Sequence, residues 1–403
     1  MPEAADDMRW ADRALASVWE RVRVTADQVG PRFPLYAEPG TGVWKSTSKG
    51  SWTGGFWAGL LWLRALASGA PRDRAAAAEC TGRLAYWVDQ DTATRGLIFW
   101  YGTALAAGPG GSGAAAQLRE QAARACLAAY DSERGLVPWG AAFGGPRMLA
   151  RADAVPGLVP LLAGWSDAGR AAAYGHLTRQ LELSLAEHPP RPAWAAAKDG
   201  SWTACPEPAP GWSRTVPWLL LGLADGVHWL GADGLWAAAE QLAAPRLVAG
   251  VPLVPDAQDG NAPEGNAPQA GSARQAGNAR PLGHDAGPLD TSAAAIEAVA
   301  LLKLAALTRT AGPGSTAGIG RPGRMERTGE AAGTADGADA LTRRARRILY
   351  RLCSRHLTAG GALTAGCYDA GRGLAPRHEL VWGDFFLASG LAILTGLTEP
   401  FTT

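Results

Sequence analysis

The chain is dominated by segments in which apolar residues recur every three or four positions, the spacing that gives an α-helix one apolar face. Ala, Leu and Arg, which favour helix, fill the positions between them. Strand patterns are nearly absent, so the sequence predicts an all-α fold. The predicted helices span residues 8–24, 53–67, 72–89, 113–130, 151–165, 168–186, 212–230, 233–248, 292–308 and 339–357.

Helices of similar length that alternate with long loops fit either an α-solenoid or a closed ring of helical hairpins. The sequence has no fixed repeat of the kind that a solenoid shows. We therefore expect one domain over residues 1–403, an (α/α)6 barrel of six helical hairpins. Two segments, 256–288 and 311–337, are rich in Gly, Ala, Asn and Pro, which predicts mobile insertions; the first could also act as a flap.

Composition bears on the partners of this fold. Lys and Arg number 38 against 37 Asp and Glu, which gives no electrostatic basis for binding nucleic acid or an anionic membrane. No apolar run has the length of about 18 residues that a membrane span requires. Trp is abundant, with 17 residues against 7 Tyr and 7 Phe, and Trp side chains suit a cleft that binds the flat faces of sugars. A small-molecule saccharide or glycoside is the expected partner, and the oligomeric state stays open.

The five cysteines lie far apart without a C-x-x-C pair, so we predict reduced, structural thiols. The first residues are acidic and lack the basic and apolar stretches of a secretion signal, which indicates a cytoplasmic protein. The six histidines are too dispersed for a metal site, and there is no phosphate-binding loop or G-x-S-x-G motif. No metal and no cofactor is predicted.

Six strings carry the more specific information. They are WTGGFWAGLLWL at 52–63, YDSERGLVPW at 130–139, RADAVPGLVPLL at 151–162, WSRTVPW at 212–218, LDTSAAAI at 289–296 and VWGDFFL at 381–387. In this order they resemble the unsaturated glucuronyl hydrolases of glycoside hydrolase family 88 and the unsaturated rhamnogalacturonyl hydrolases of family 105. The resemblance covers nearly the whole chain outside the two insertions.

The resemblance implies the (α/α)6 barrel and hydration of the 4,5-double bond of an unsaturated uronic acid glycoside. In these families an acid protonates C4, water adds at C5, and the resulting hemiketal collapses. The matching position makes Asp153 the general acid/base. The resemblance implies a substrate-binding role for the following residues: Trp52, Thr94, Trp139, Arg214, Trp218 and Trp382.

The chain departs from the family pattern at positions that concern the substrate. The family has a His-Asp pair where this sequence has Ala93 and Thr94, so a second active-site carboxylate is missing. Asp89 and Asp91 lie upstream and could replace it only if the loop were remodelled. One carboxyl can act first as acid and then as base, so Asp153 alone would suffice chemically.

Each candidate also has a purely structural interpretation. Asp153 lies near Trp139, where reduced solvation would favour a proton-donating carboxyl, but it could instead cap a helix by accepting the Val155 N–H. Arg214 lies between two Trp residues and could hold a sugar carboxylate or form a salt bridge inside the barrel. Asp290 and Asp384 are expected to be helix caps.

Three functions therefore stay open at the level of sequence. The first is a glycoside hydrolase-like enzyme that hydrates an unsaturated uronide. The second is a hydratase or glycosidase that acts on a different small-molecule glycoside in a specialised pathway, which the missing uronate-positioning residues favour. The third is a non-catalytic protein that binds carbohydrate in a Trp-lined cleft.

Overall fold

A computed structural model describes residues 8–107, 112–257, 287–310 and 331–402. Within these ranges the helices are α1 (Arg9–Val29), α2 (Gly54–Ser68), α3 (Pro71–Gly82), α4 (Tyr101–Thr103), α5 (Gly113–Ala128), α6 (Leu158–Ala163), α7 (Asp167–Ser184), α8 (Thr215–Leu230), α9 (Asp233–Leu247), α10 (Thr291–Thr310), α11 (Ala331–Arg355) and α12 (Val381–Leu394). A π-helical turn, Gly96–Trp100, runs directly into α4.

Six of these elements form a closed inner ring. Going round it, α2 contacts the π-helical turn and α4, and α6, α8, α10 and α12 follow in order until α12 contacts α2 again. The outer helices α1, α3, α5, α7, α9 and α11 each pack against the inner ring. The prediction of an (α/α)6 barrel is confirmed.

The two rings differ in their apolar patterns. Inner helices are apolar on nearly every side; in α12 every residue from Val381 to Ala392 is buried. Outer helix α1 instead buries one stripe with a spacing of three to four residues, which includes Ala11, Leu15, Val18 and Val22. A helix that is apolar all round must lie inside the protein, whereas an amphipathic helix covers it.

The beginnings of the inner helices gather at one end of the barrel, which we call the mouth. Trp52, before α2, packs against Trp382 at the start of α12, with ring centroids 4.9 Å apart. Arg214, before α8, pairs with Asp290, before α10. Loop residues that precede different inner helices therefore meet in one place.

Two small antiparallel sheets border the mouth. Strand β1 (Phe33–Ala37) lies between β2 (Trp44–Thr47) and β6 (Glu379–Leu380), and β4 (Ala193–Ala196) lies between β3 (Leu149–Arg151) and β5 (Trp202–Ala204). In the second sheet Ala150 pairs with Trp194. These strands are too short to give an alternating pattern, which is why sequence reasoning found almost none of them.

The predicted helix 151–165 is wrong in its first half. A 3-10 turn, Ala152–Ala154, follows β3, and α6 begins only at Leu158. Between them Gly157 has φ of +72°, and a Cβ there would lie 2.4 Å from the Gly96 carbonyl oxygen. Only glycine fits this close approach of two backbones.

The insertions are described only in part. Residues 258–286 and 311–330, the bulk of segments 256–288 and 311–337, lie outside the described residues. Helix α11 begins at Ala331, so the end of the second predicted insertion is helical instead. Helix α12 was not among the helices predicted by periodicity, and every residue in it from Val381 to Ala392 is buried.

The stretch Thr291–Arg309 of α10 has the length and hydropathy of a membrane span. In the barrel 89% of it is buried within the protein, as part of the inner ring. Its apolar character is therefore explained by its central position.

Candidate active site at the barrel mouth

Asp153 lies at the mouth, in the 3-10 turn that follows β3. Its carboxylate accepts two hydrogen bonds from Arg151, from Nε to Oδ1 and from Nη2 to Oδ2, each 2.9 Å long. The two side chains are 17% and 19% exposed, so the pair is largely buried but open to solvent at one edge. This bidentate arrangement is the strong form of an arginine–carboxylate pair.

Trp139 forms the floor beneath this pair. The guanidinium carbon of Arg151 lies 4.3 Å from the centroid of the Trp139 ring, and the indole is half-buried. Arg151 therefore lies between Asp153 and Trp139, and it is the guanidinium that contacts the indole ring. The alternative of a helix cap is wrong, because the Val155 N–H bonds to the carbonyl of Ala152 and not to the carboxylate.

A buried histidine holds this region together from below. Nδ1 of His176 accepts the Val137 N–H at 3.1 Å, and Nε2 lies 3.3 Å from the carbonyl oxygen of Ala154. Burial lowers the pKa of His176 to about 4, so the ring is neutral at physiological pH. The neutral imidazole thus joins the loop that carries Trp139 to the turn that carries Asp153.

A hairpin loop, residues 366–378, lies over the same end of the barrel. Gly366 and His378 exchange two backbone hydrogen bonds of 2.9 Å at its base. The hydroxyl of Tyr368 accepts the indole N–H of Trp52 at 2.9 Å, and the Tyr368 ring packs 5.2 Å from that of Trp382. Trp52 is half-buried and contacts the hairpin loop at the mouth, where we predicted a substrate contact.

Arg214 is bound to protein groups on several sides. Its guanidinium pairs with Asp290 and donates to the backbone carbonyls of Cys367 at 2.5 Å and Tyr368 at 2.6 Å. The side chains of Arg214 and Asp290 are 6% and 0% exposed. The prediction that Arg214 holds a substrate carboxylate is therefore corrected to a buried ion pair that anchors the hairpin loop.

Asp290 is a cap as well as an ion-pair partner. Its Oδ1 accepts the backbone N–H of Ser292 at 3.1 Å and of Ala293 at 3.4 Å. Ser213 donates its hydroxyl to the other carboxylate oxygen at 2.7 Å. The predicted cap is confirmed.

Three of the predicted substrate contacts lie inside the wall of the barrel. Thr94 is 1% exposed, and its hydroxyl is 2.9 Å from that of Thr92. Trp218 and Trp382 are 1% and 0% exposed, so neither ring presents a face for stacking on a sugar. Their indole N–H groups lack an acceptor among the described residues, an arrangement that is costly for buried donors and that leaves them available to a polar group entering the barrel.

Asp91 does not replace the missing second carboxylate. It pairs with Arg147 at 2.8 Å on the outer edge of the mouth and accepts the N–H of Ala141 at 3.1 Å. The two side chains are 39% and 53% exposed. Asp91 thus fixes the loop after Trp139 and stays outside the site.

A cluster of two carboxyl groups and an arginine lies between α1 and α12. Arg21 donates to both carboxylate oxygens of Glu379, at 2.7 and 2.5 Å. Neighbouring Asp384 accepts the N–H of Leu363 at 3.2 Å, so its predicted role as a cap of its own helix is wrong. Burial, and next the charge of Glu379, raises the pKa of Asp384 well above its ordinary value. This cluster joins the first helix to the last.

Other parts of the described chain hold fewer groups that could bind a ligand or take part in catalysis. An open groove between α3 and α5 has a volume of about 540 Å³ that includes bulk solvent, and its uncharged lining includes Thr81, Ser112 and Gln121. Among the described residues no group of three His, Cys, Asp or Glu side chains could hold a metal ion. We therefore place the candidate site at Asp153.

Sequence reasoning missed Arg151, His176 and Tyr368. Arg151 stands two positions before Asp153 in the string RADAV, and that short spacing was the available signal. His176 and Tyr368 reach the site from distant parts of the chain, so only the fold brings them there.

The chain was compared with known proteins. No protein-family model matches it, and no curated protein matches it. Solved structures of unsaturated glucuronyl hydrolases do match, over 95% or more of the chain. The enzyme from Bacillus sp. GL1, described as responsible for the degradation of glycosaminoglycan, is 18% identical, with 95% of this chain and 96% of that chain covered and a TM-score of 0.72.

Two further structures of unsaturated glucuronyl hydrolases are similar to this chain to the same degree. An unsaturated glucuronyl hydrolase specific for heparin is 17% identical over 96% of this chain and 98% of its own, with a TM-score of 0.74. The enzyme from Streptococcus agalactiae is 14% identical over 96% of this chain and 92% of its own, with a TM-score of 0.73. A variant of the latter was solved with the saccharide dGlcA-GalNAc6S. At these identities the likeness shows a shared fold, as the resemblance implied.

Proposed function

We propose that this protein hydrates the 4,5-double bond of an unsaturated uronic acid glycoside, with Asp153 as general acid/base. The observation that carries the proposal is the position of Asp153. It lies at the mouth of the barrel, open at one edge and paired with Arg151, which stacks on the half-buried Trp139, within a fold shared with unsaturated glucuronyl hydrolases over 95% of the chain. A partly exposed carboxyl next to a Trp-lined surface suits a site that protonates a sugar.

In the proposed reaction protonated Asp153 delivers its proton to C4, and positive charge develops at C5 beside the ring oxygen. The carboxylate so formed then takes a proton from the water that adds to C5. The hemiketal collapses and expels the sugar partner. Since the same carboxyl gives and takes a proton, the reaction needs no carboxylate at Thr94.

A second candidate function is a hydratase or glycosidase on a glycoside without a uronate. The engagement of Arg214 with Asp290 and two carbonyls supports it, because that arginine has no free edge for a substrate carboxylate. In this alternative Asp153 keeps its acid/base role and only the substrate changes.

Turnover of defined disaccharides tests the proposal. The wild type and Asp153→Asn would be incubated with unsaturated glucuronyl and galacturonyl disaccharides while the ultraviolet absorbance of the conjugated double bond is followed. Asp91→Asn is a matched control, since it loses a carboxylate that is also paired with an arginine but lies outside the site. We expect decay with the wild type and the control and none with Asp153→Asn; no decay with the wild type would refute the proposal.

A cytoplasmic location belongs to this proposal. The five cysteines, Cys80, Cys126, Cys205, Cys353 and Cys367, are all free thiols in the structure. Free thiols are typical of a reducing compartment. Small saccharides that reach the cytoplasm would then be the substrates.

A further inference from the structure

The bidentate pair of Arg151 with Asp153 conflicts with the acid role proposed for Asp153. Two hydrogen bonds of 2.9 Å from a guanidinium stabilise the ionised carboxylate, which has no proton to give. Some event at the site must therefore separate the pair before the carboxyl can act as an acid.

Among the arginines that lie next to the candidate site, Arg151 is better placed than Arg214 and Arg95 to accept another partner. The guanidinium of Arg214 is 6% exposed and bound to Asp290 and two carbonyls. Arg95 is 5% exposed and donates to the carbonyls of Val88 and Thr92. The Arg151 side chain is 19% exposed, and its guanidinium donates two hydrogen bonds to Asp153, a side chain that a ligand carboxylate could displace.

The charges around Arg151 determine whether a ligand carboxylate can replace Asp153 as its partner. Burial lowers the pKa of Arg151, but the charge of Asp153 and its hydrogen bonds, followed by Cys205 and Asp369, outweigh burial, so the pKa of Arg151 is raised. A ligand carboxylate entering here would meet the negative charges of Asp153 and Asp369. Uptake of one proton by Asp153 would relieve that repulsion and leave the guanidinium to the ligand. His176, which contacts the same turn, stays neutral and adds no charge.

We propose that Arg151 is the carboxylate receptor of this site and that a uronate displaces Asp153 from its guanidinium, with transfer of one proton from solvent to Asp153. This inference rests on the proposed function, since it supplies the proton donor that hydration needs. Trp139 holds the guanidinium plane in place throughout the exchange, 4.3 Å above its ring. A substrate carboxylate thereby converts Asp153 from ion-pair partner to acid, so that a neutral glycoside would not activate the site. Arg151 acts as a specificity-determining residue.

Binding of an unreactive ligand tests the receptor separately from catalysis. Methyl β-glucuronide has the carboxylate but no double bond, and methyl β-glucoside lacks the carboxylate. Isothermal titration calorimetry in two buffers of different ionisation enthalpy measures both affinity and proton uptake. For the wild type we expect glucuronide binding with proton uptake.

Variants at the two positions give opposite expectations. Arg151→Met keeps an apolar side chain on Trp139 but loses the guanidinium. Glucuronide binding should therefore weaken roughly 10- to 100-fold, while glucoside binding is unchanged. Asp153→Asn frees Arg151 from its internal competitor, so the glucuronide should bind more tightly than to the wild type and without proton uptake. Arg147→Met removes the outer pair with Asp91 and should change neither affinity.

The proposal that Arg151 receives the carboxylate would be overturned by either of two results. One is a glucuronide affinity that Arg151→Met leaves unchanged. The other is glucuronide binding that is weaker than in the wild type, or absent, in Asp153→Asn. An unchanged thermal unfolding midpoint and unchanged glucoside binding show that Arg151→Met is folded. If the binding results are as expected but no unsaturated disaccharide is turned over, the proposed hydration is refuted, while the role of Arg151 in binding the carboxylate is supported. Turnover with an unaffected Arg151→Met overturns the receptor alone.

Discussion

Acid should weaken this protein through His176. The imidazole is 1% exposed, and its two nitrogens face the N–H of Val137 and the carbonyl of Ala154. Only the neutral ring can accept the Val137 N–H, because both nitrogens of an imidazolium are donors. Protonation therefore breaks a buried hydrogen bond next to Asp153.

The size of the effect follows from the pKa. Burial lowers the pKa of His176 from 6.5 to about 4. Below pH 6.5 the unfolded chain takes up a proton that the folded protein refuses, so stability is lost as the pH falls from 6.5 towards 4. The full difference corresponds to about 3 kcal/mol of unfolding free energy. Between about pH 7 and about pH 4.5, roughly 2.5 kcal/mol of that stability should be lost.

Urea unfolding at these two pH values, with the wild type and His176→Gln, measures this contribution. Glutamine can accept from Val137 and donate to Ala154 but does not titrate, so the variant should lose roughly 2.5 kcal/mol less than the wild type between the two pH values. Other titrating groups affect both proteins equally and cancel in the comparison. Equal losses in the two proteins, within about 1 kcal/mol, would refute the reasoning.

Three further predictions concern the frame of the site. Asp290→Ala leaves a buried guanidinium without its partner and should cost about 3–5 kcal/mol of unfolding free energy in urea, whereas Glu20→Ala, in an exposed pair, should leave the midpoint unchanged. Gly157→Ala drives a Cβ to 2.4 Å from a carbonyl oxygen and should lower the thermal midpoint far more than Gly144→Ala, where the left-handed backbone is similar and nothing lies within 4 Å. The raised pKa of Asp384 means that the fold retains a proton which the unfolded chain releases, so stability falls as the pH rises above 3.8; Asp384→Asn should flatten that fall in a series of thermal scans.

The architecture was predictable because a barrel of helices has a sequence pattern that is local. Amphipathic outer helices such as α1 show a stripe with a spacing of three to four residues. Inner helix α12, which is buried along its length, was not predicted from periodicity, although its string VWGDFFL contributed to the family resemblance. Gly157 and Pro156 end the local pattern after Asp153, and the short 3-10 turn there follows from a close backbone contact with Gly96 that is distant in sequence.

The candidate site could be predicted only in part. The family resemblance assigned Asp153 and Trp139 to one site, and both lie at the mouth, linked through Arg151. The partner of Arg214 could not be chosen from sequence, because Asp290 is 76 residues away and both a salt bridge and a substrate contact fit the string WSRTVPW. Likewise Trp382 is covered by Tyr368 from a hairpin loop that has no distinctive composition.

The central claim, hydration with Asp153 as proton donor, is tested most directly by the fate of the proton at C4. An unsaturated glucuronyl disaccharide would be turned over in D2O and the product examined by NMR. Hydration predicts one deuterium at C4 of the released sugar, formed by the wild type and lost with Asp153→Asn. A product that keeps its double bond and carries no deuterium at C4 would show cleavage by ordinary glycoside hydrolysis and would contradict the account.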